Sequence, residues 1–123
     1  MKKNSLKIYI AAPYSANKKE RREKNVEAAI DVAITLYKKG HFPYLPHLTH
    51  LVDKRAKKTS ITMVWSDYMK WHKPWLMACD AFFYLGSSKG ADIELQLAKD
   101  LGKIIFYSVE EVPVRHVTNL IIK

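Results

Sequence analysis

The chain has 123 residues, 48% hydrophobic and 27% charged, an ordinary globular balance at a length that allows one core and hence one domain over 1–123. No apolar run approaches the roughly 18 residues of a membrane span, and one cysteine, Cys79, excludes an intrachain disulfide framework and reads as an inert buried thiol. The net charge of +9 favours anionic partners (nucleotides, nucleic acid or a membrane surface), although its two clusters, NKKERREK at 17–24 and DKRAKKTS at 53–60, have the plainer role of solvated surface.

The first segment, MKKNSLKIYIAAPYS, is basic and then apolar, but its apolar run is too short for a signal peptide and ends at Pro13. The expected location is the cytoplasm. Residues 6–12, LKIYIAA, form a β-branched and aromatic run that suits a buried first strand. Asn17 with Glu20 three residues on resembles a capping box. A helix follows with an apolar stripe of Val26, Ala29, Ile30, Ala33, Leu36 and Tyr37, stopped by Gly40. HFPYLPH at 41–47 is a short second strand running into a proline-rich loop, and 48–60 reads as loop or irregular helix. A second helix runs from about Ser60 to Met77, bent or broken at Pro74. ACDAFFYLG at 78–86 is the third strand, Ser88–Leu101 the third helix, closed at Gly102, and KIIFYS at 103–108 the fourth strand. The tail, 109–123, has weak helical character, and no internal repeat is visible. Strands joined by helical crossovers imply a small doubly wound α/β fold of the Rossmann or flavodoxin kind. Its mainly parallel sheet would have four to five strands, with helices on both faces.

Ligands of such sheets bind beyond the carboxyl ends of the strands. Three segments reach that edge: AAPYSAN at 11–17, PHLTH at 46–50 and GSSKGADIE at 86–94. In the last, Glu94 falls in the middle of the stripe made by Ala91, Leu97, Ala98 and Leu101. A carboxylate has no cheap reason to lie there, because an unpaired buried charge is costly. The plainer alternative is a side chain that snorkels to water. Ser88 and Gly90 at the helix start offer backbone N–H groups and the positive end of a dipole, an anion site in kind but also a common cap. His47 and His50 form an H-x-x-H pair without a convincing third ligand, so no metal is expected. Trp65, Met69 and His72 share one helical face, and Trp71 and Trp75 another. These suit an aromatic wall for a base, a dimer face, or plain core.

Taken together, IYIAAPYS (8–15), Gly-His-x-Pro…Pro-His (40–47), CDAFFYL (79–85) and SKGADIELQLAKDLGK (88–103) resemble the nucleoside 2-deoxyribosyltransferase superfamily. That superfamily includes the 2′-deoxynucleoside 5′-monophosphate N-glycosidases and a small phage and prokaryotic branch. The likeness spans about 6–107. It implies that Glu94 is the nucleophile that attacks the anomeric carbon, a retaining glycosidase strategy. It implies that Tyr9 orients Glu94 and that Asp80 assists departure of the base, against the plainer roles of core tyrosine and strand-end cap. Ser88 matches a serine that in the monophosphate hydrolases faces a 5′-phosphate, with Gly90 and its neighbouring amides completing the cradle. Pro13, Tyr14 and Ser15 occupy the substrate-side first loop, where AAPYSAN replaces the hydrolases' glycine-rich segment. His47 matches a position near the base pocket.

The implied activity is hydrolysis of the base–sugar bond of 2′-deoxynucleoside 5′-monophosphates, with no cofactor and with a homodimer or higher oligomer. The alternatives are a deoxyribosyltransferase moving deoxyribose between bases and a non-catalytic nucleotide-binding module. A nucleic-acid binder is not favoured, because the lysine clusters lack interleaved aromatics.

Overall fold

The computed structural model describes residues 4–13 and 19–115. Four short strands, β1 (Lys7–Ala11), β2 (Phe42–Tyr44), β3 (Ala81–Tyr84) and β4 (Ile104–Phe106), form one sheet in the order β2-β1-β3-β4. Every pairing is parallel, with Tyr9 opposite Tyr44 on one side and Phe82 on the other. The helices are α1 (Lys19–Lys38), α2 (Thr49–Lys58), α3 (Trp65–Ala78) and α4 (Lys89–Asp100), with single 3-10 turns at Pro46–Leu48 and Val109–Glu111. This is the doubly wound α/β fold, here with four strands.

Alternation along β1 assigns the two layers. Ile8 and Ile10 point to one face, where they join Ala29 and Leu36 of α1 with Phe83 and Phe106. Tyr9 and Ala11 point to the other face, against Leu76 of α3 and Ala91 and Ala98 of α4. The chain winds outward from β1 to β2 and then crosses back to β3. The switch point therefore lies between β1 and β3, and the loops after those strands flank the crevice.

Several boundaries differ from the sequence expectation. Of the two alternatives for 48–60, loop or irregular helix, the helical one holds: Thr49–Lys58 is a regular helix, α2, whose polar composition buries little beyond Ala56. Helix α3 begins at Trp65, where the Asp67 carboxylate accepts from the Val64 N–H at 2.8 Å, and runs through Pro74 to Ala78. Pro74 lies on the exposed side, so the Lys70 carbonyl that loses its donor can be met by water. Tyr37 is 63% exposed and leaves the α1 stripe, whose buried members are Val26, Ala29 and Leu36. The helix start expected at Asn17 and the end of the tail beyond 115 lie outside the described residues.

The end of α1 is pinned through a histidine. Gly40 takes φ +98°, and a Cβ there would collide with the Arg115 carbonyl. The next residue, His41, is fully buried and bridges two segments. Its Nδ1 accepts from the Leu6 N–H at 3.1 Å, and its Nε2–H donates to the Pro113 carbonyl at 2.6 Å. Substituting His41→Ala strands both backbone groups and leaves a cavity. It should lower unfolding stability by about 2–4 kcal/mol, read as a fall in the urea midpoint; an unchanged midpoint would show that the bridge contributes nothing.

Candidate active site

A cavity of about 430 Å³ opens at the carboxyl edge of the sheet, over the switch point. That size suits a small-molecule ligand, for which pockets run from about 300 to 1,000 Å³. Ala11 and Ala12 at the end of β1 leave the floor open, because neither carries a side chain long enough to fill it. Helix α2 contributes Thr49, His50, Asp53 and Lys57 to one wall. Helix α3 contributes Trp65, Tyr68, Met69 and His72. The third wall is the start of α4, from Ser88 to Ala91, with Glu94 one turn in.

Glu94 is 8% exposed, on the buried stripe Ala91–Glu94–Ala98 of α4. Its Oε2 accepts from the Tyr9 hydroxyl at 2.7 Å, across 85 residues of sequence. Burial pushes the Glu94 carboxyl up from the usual 4.5 to about 7, and the Tyr9 hydrogen bond opposes that shift without cancelling it. Burial, and then the neighbouring Glu94 charge, push the Tyr9 phenol far above its ordinary value, so it stays a donor at every working pH. One carboxylate oxygen is thus held by Tyr9.

Ser88 is the N-cap of α4, its Oγ accepting from the Ala91 N–H at 3.1 Å. The cap uses an oxygen lone pair and leaves the hydroxyl proton to be donated elsewhere. Gly90 lines the cavity, and a Cβ built on it would lie 3.4 Å from Met69 Sδ and 3.6 Å from Trp65 Nε1, in ordinary contact with α3. Lys89 extends over the Trp65 ring, Nζ 4.7 Å from the centroid, placing a cation at the rim. On the other rim Lys57 pairs with Asp53 at 3.1 Å, and Tyr68 donates to the same carboxylate at 2.8 Å.

His47 is buried in the wall, its Nε2–H donating to the Ala12 carbonyl at 3.0 Å, and burial lowers its pKa. His50 turns its Nδ1–H to the His47 carbonyl at 3.0 Å, so the H-x-x-H pair is engaged with backbone. The described residues hold no group of three or more His, Cys, Asp or Glu placed for a metal. Cys79 is buried behind this layer, its thiol pushed up to about 11 by burial and then by Asp80.

The structure therefore brings Glu94, Tyr9, Ser88, Gly90 and His47 to one place. Asp80 does not join them. It precedes β3 at the amino edge, where its Oδ2 accepts from the Lys7 N–H at 2.8 Å. The four residues of β3 separate it from the crevice by roughly 13 Å at ~3.3 Å per residue. Asp80 is a cap between strand ends. Pro13 packs against Gly86, holding the loops after β1 and β3 together rather than lining the cavity. Tyr14 and Ser15 lie outside the described residues. Of the α2 wall, Thr49 and His50 belong to the expected edge segment 46–50, whereas Asp53 and Lys57 carry no sequence signal because 48–60 shows no apolar period. His72 was noted only as part of an aromatic face.

Residues 6–107 match a family described as "Domain of unknown function (DUF4406)". The chain belongs to that family. No curated protein matches it. Among the described residues of this DUF4406 chain, no helix is long and apolar enough to cross a membrane.

The raised Glu94 pKa links to stability with a definite sign. The folded state holds the proton up to about pH 7, whereas the unfolded chain releases it near 4.5. The neutral acid therefore favours folding fully below the unfolded value, and that contribution is lost as pH rises to about 7. A Glu94→Gln variant, which cannot ionise, should gain about 2–3 kcal/mol on wild type between pH 4.5 and pH 8. Chemical denaturation at the two pH values measures this, and a pH-independent difference would show that Glu94 ionises as easily folded as unfolded.

Proposed function

We propose that this chain is an N-glycosidase that hydrolyses the base–sugar bond of 2′-deoxynucleoside 5′-monophosphates through Glu94. The observation that carries the reading is Glu94, buried in the wall of a nucleotide-sized cavity and held from behind by the Tyr9 hydroxyl at 2.7 Å. It is supported by the motif resemblance to the nucleoside 2-deoxyribosyltransferase superfamily. The Ser88-capped start of α4 supports the phosphate preference, since its hydroxyl and first-turn amides suit an anion. Lys89 on the rim adds positive charge, while that of Lys57 is offset by Asp53.

In the first step, the Glu94 oxygen not held by Tyr9 attacks C1′ of the deoxyribose. The C1′–N bond breaks, its electron pair leaves with the base, and the base takes up a proton from water. The enzyme is left as a glycosyl ester. In the second step water adds at C1′ and gives up a proton to the hydroxide left when the base was protonated, Glu94 departs as carboxylate, and deoxyribose 5-phosphate is released. An oxygen held at a fixed point by Tyr9 has little freedom to lose on reaching the transition state. A second base in place of water would make the same machinery a transferase. Association of two copies belongs to the same reading and is supported by exposed apolar residues such as Phe42, Trp71 and Trp75.

Two outcomes are expected. Chromatography of deoxynucleosides and their 5′-monophosphates, with and without an acceptor base, should show base release from the monophosphates alone. Glu94→Ala should reduce that release by at least ~10³-fold. New nucleosides formed only with acceptor would move the assignment to a transferase, and no turnover at all would leave a binding module.

The second outcome concerns pH. The nucleophile must be ionised, so the rate should rise through pH 7 and level off above it. Tyr9→Phe removes the bond that favours the carboxylate, so its profile should move up by about 1–2 pH units. A Tyr9→Phe profile that coincides with wild type would remove Tyr9 from the mechanism.

A further inference from the structure

With Asp80 at the opposite edge of the sheet, the proposed reaction lacks a partner for the departing base. Most donors in the cavity wall are already committed. The Thr49 hydroxyl donates to the Pro46 carbonyl at 2.8 Å, and that of Tyr68 to Asp53 at 2.8 Å. His47 and His50 each direct a ring N–H to a backbone carbonyl at 3.0 Å. Lys57 is paired with Asp53, and Lys89 sits over Trp65.

His72 of α3 stands apart. It is 7% exposed, lines the cavity, and meets the Tyr44 ring edge-on at 6.5 Å. Its Nδ1 is sealed from solvent and has no hydrogen-bond partner among the described residues. Its Nε2 approaches Thr49 Oγ1 at 3.5 Å, the outer limit for such a bond. The proton can be located from these facts. A proton on Nδ1 would bury an N–H with no acceptor, the costlier arrangement. The Thr49 proton is spent on Pro46, so its oxygen can only accept from the imidazole. The stable tautomer is therefore Nε2–H, with a weakly engaged donor beside Thr49 on the cavity wall. Burial, and then the His47 charge, lower the His72 pKa to about 4, so the ring is neutral at physiological pH.

We infer that His72 is the leaving-group residue of this site, its neutral Nε2–H donating a hydrogen bond to an acceptor atom of the departing nucleobase. The inference rests on the glycosidase reading and adds to it the side chain that Asp80 does not supply. As the C1′–N bond breaks, the electron pair passes into the base ring. A donor fixed in the wall stabilises that charge best where it develops. The proton stays on Nε2 throughout, and the free base takes its own from water. A neutral imidazole suits this role because it polarises an acceptor without the desolvation cost of a buried cation.

The test compares substrates that need the donor with substrates that do not. Deoxyguanosine 5′-monophosphate is paired with its N7-methyl derivative, whose base leaves neutral, and deoxyuridine 5′-monophosphate with its 5-fluoro derivative, a better leaving group. His72→Phe should slow the unmodified member of each cleaved pair by about 10²-fold. The N7-methyl substrate should stay within about threefold of wild type, with the 5-fluoro substrate between. The ratio of rates within a pair does not depend on how much of a variant is folded. His72→Gln, which keeps an N–H, should restore most of that ratio. Equal slowing of both members of a pair, with wild type active, would overturn the role of His72 and leave the glycosidase reading standing. Wild type releasing base from none of the four substrates would overturn the glycosidase reading, and the role of His72 with it.

Discussion

The hydrogen bond between Tyr9 and Glu94 is the constraint around which this molecule is arranged. A carboxylate on the inner stripe of a helix is expensive in water's absence, and α4 carries one that accepts a hydrogen bond from the Tyr9 hydroxyl. That bond needs the phenol at a fixed height above the sheet. Its ring is the centre of an aromatic column: Phe82 stacks on it at 5.8 Å, Tyr44 at 5.5 Å on the other side, and Trp75 on Tyr44 at 5.6 Å. The column runs across three adjacent strands into α3, so the position of one oxygen is set by the packing of a whole layer.

Sheet register follows from the same constraint. Side chains of β1 alternate, with Ile8 and Ile10 on the α1 side and Tyr9 and Ala11 on the side of α3 and α4. A slip of one residue would send Tyr9 into the aliphatic layer and put an isoleucine against Glu94. The three-strand pairing of Tyr9 with Tyr44 and Phe82 opposes any such slip. Space for a ligand arises from small residues at the strand and helix ends: Ala11, Ala12, Gly90 and Ala91 all line the opening.

The electrostatics divide by depth. The rim carries lysines and the Asp53 carboxylate, all solvated and screened. The interior carries Glu94, whose pKa is raised, and two histidines, His47 and His72, whose pKa values are lowered. Burial is the leading cause in each case, and in each it favours the neutral form. Glu94 gains its negative charge as pH passes neutrality, while His72 is neutral there.

Much of the fold could be read from local pattern. The β-branched run at 6–12, the stripe of α1, the Gly40 stop and the Ser88 cap each depend on residues near one another in sequence, so the order of strands and helices was legible. So was the anomaly of Glu94, because helical spacing alone puts it among alanines and leucines. What local pattern could not supply was the partner of each polar group. Tyr9 and Glu94 are 85 residues apart, and only the parallel pairing of β1 with β3 makes them neighbours. Asp80 carries an acid's chemistry and stands beside a strand, yet which end of that strand it occupies in space decided its role. Helix α2 buries so little that its sequence suits a loop as well as a helix, and the place of Asp53 and Lys57 in the cavity wall became visible only in the folded chain. Sequence determines which side chains are chemically able; tertiary structure decides which of them meet, because burial and proximity are properties of the packed layers.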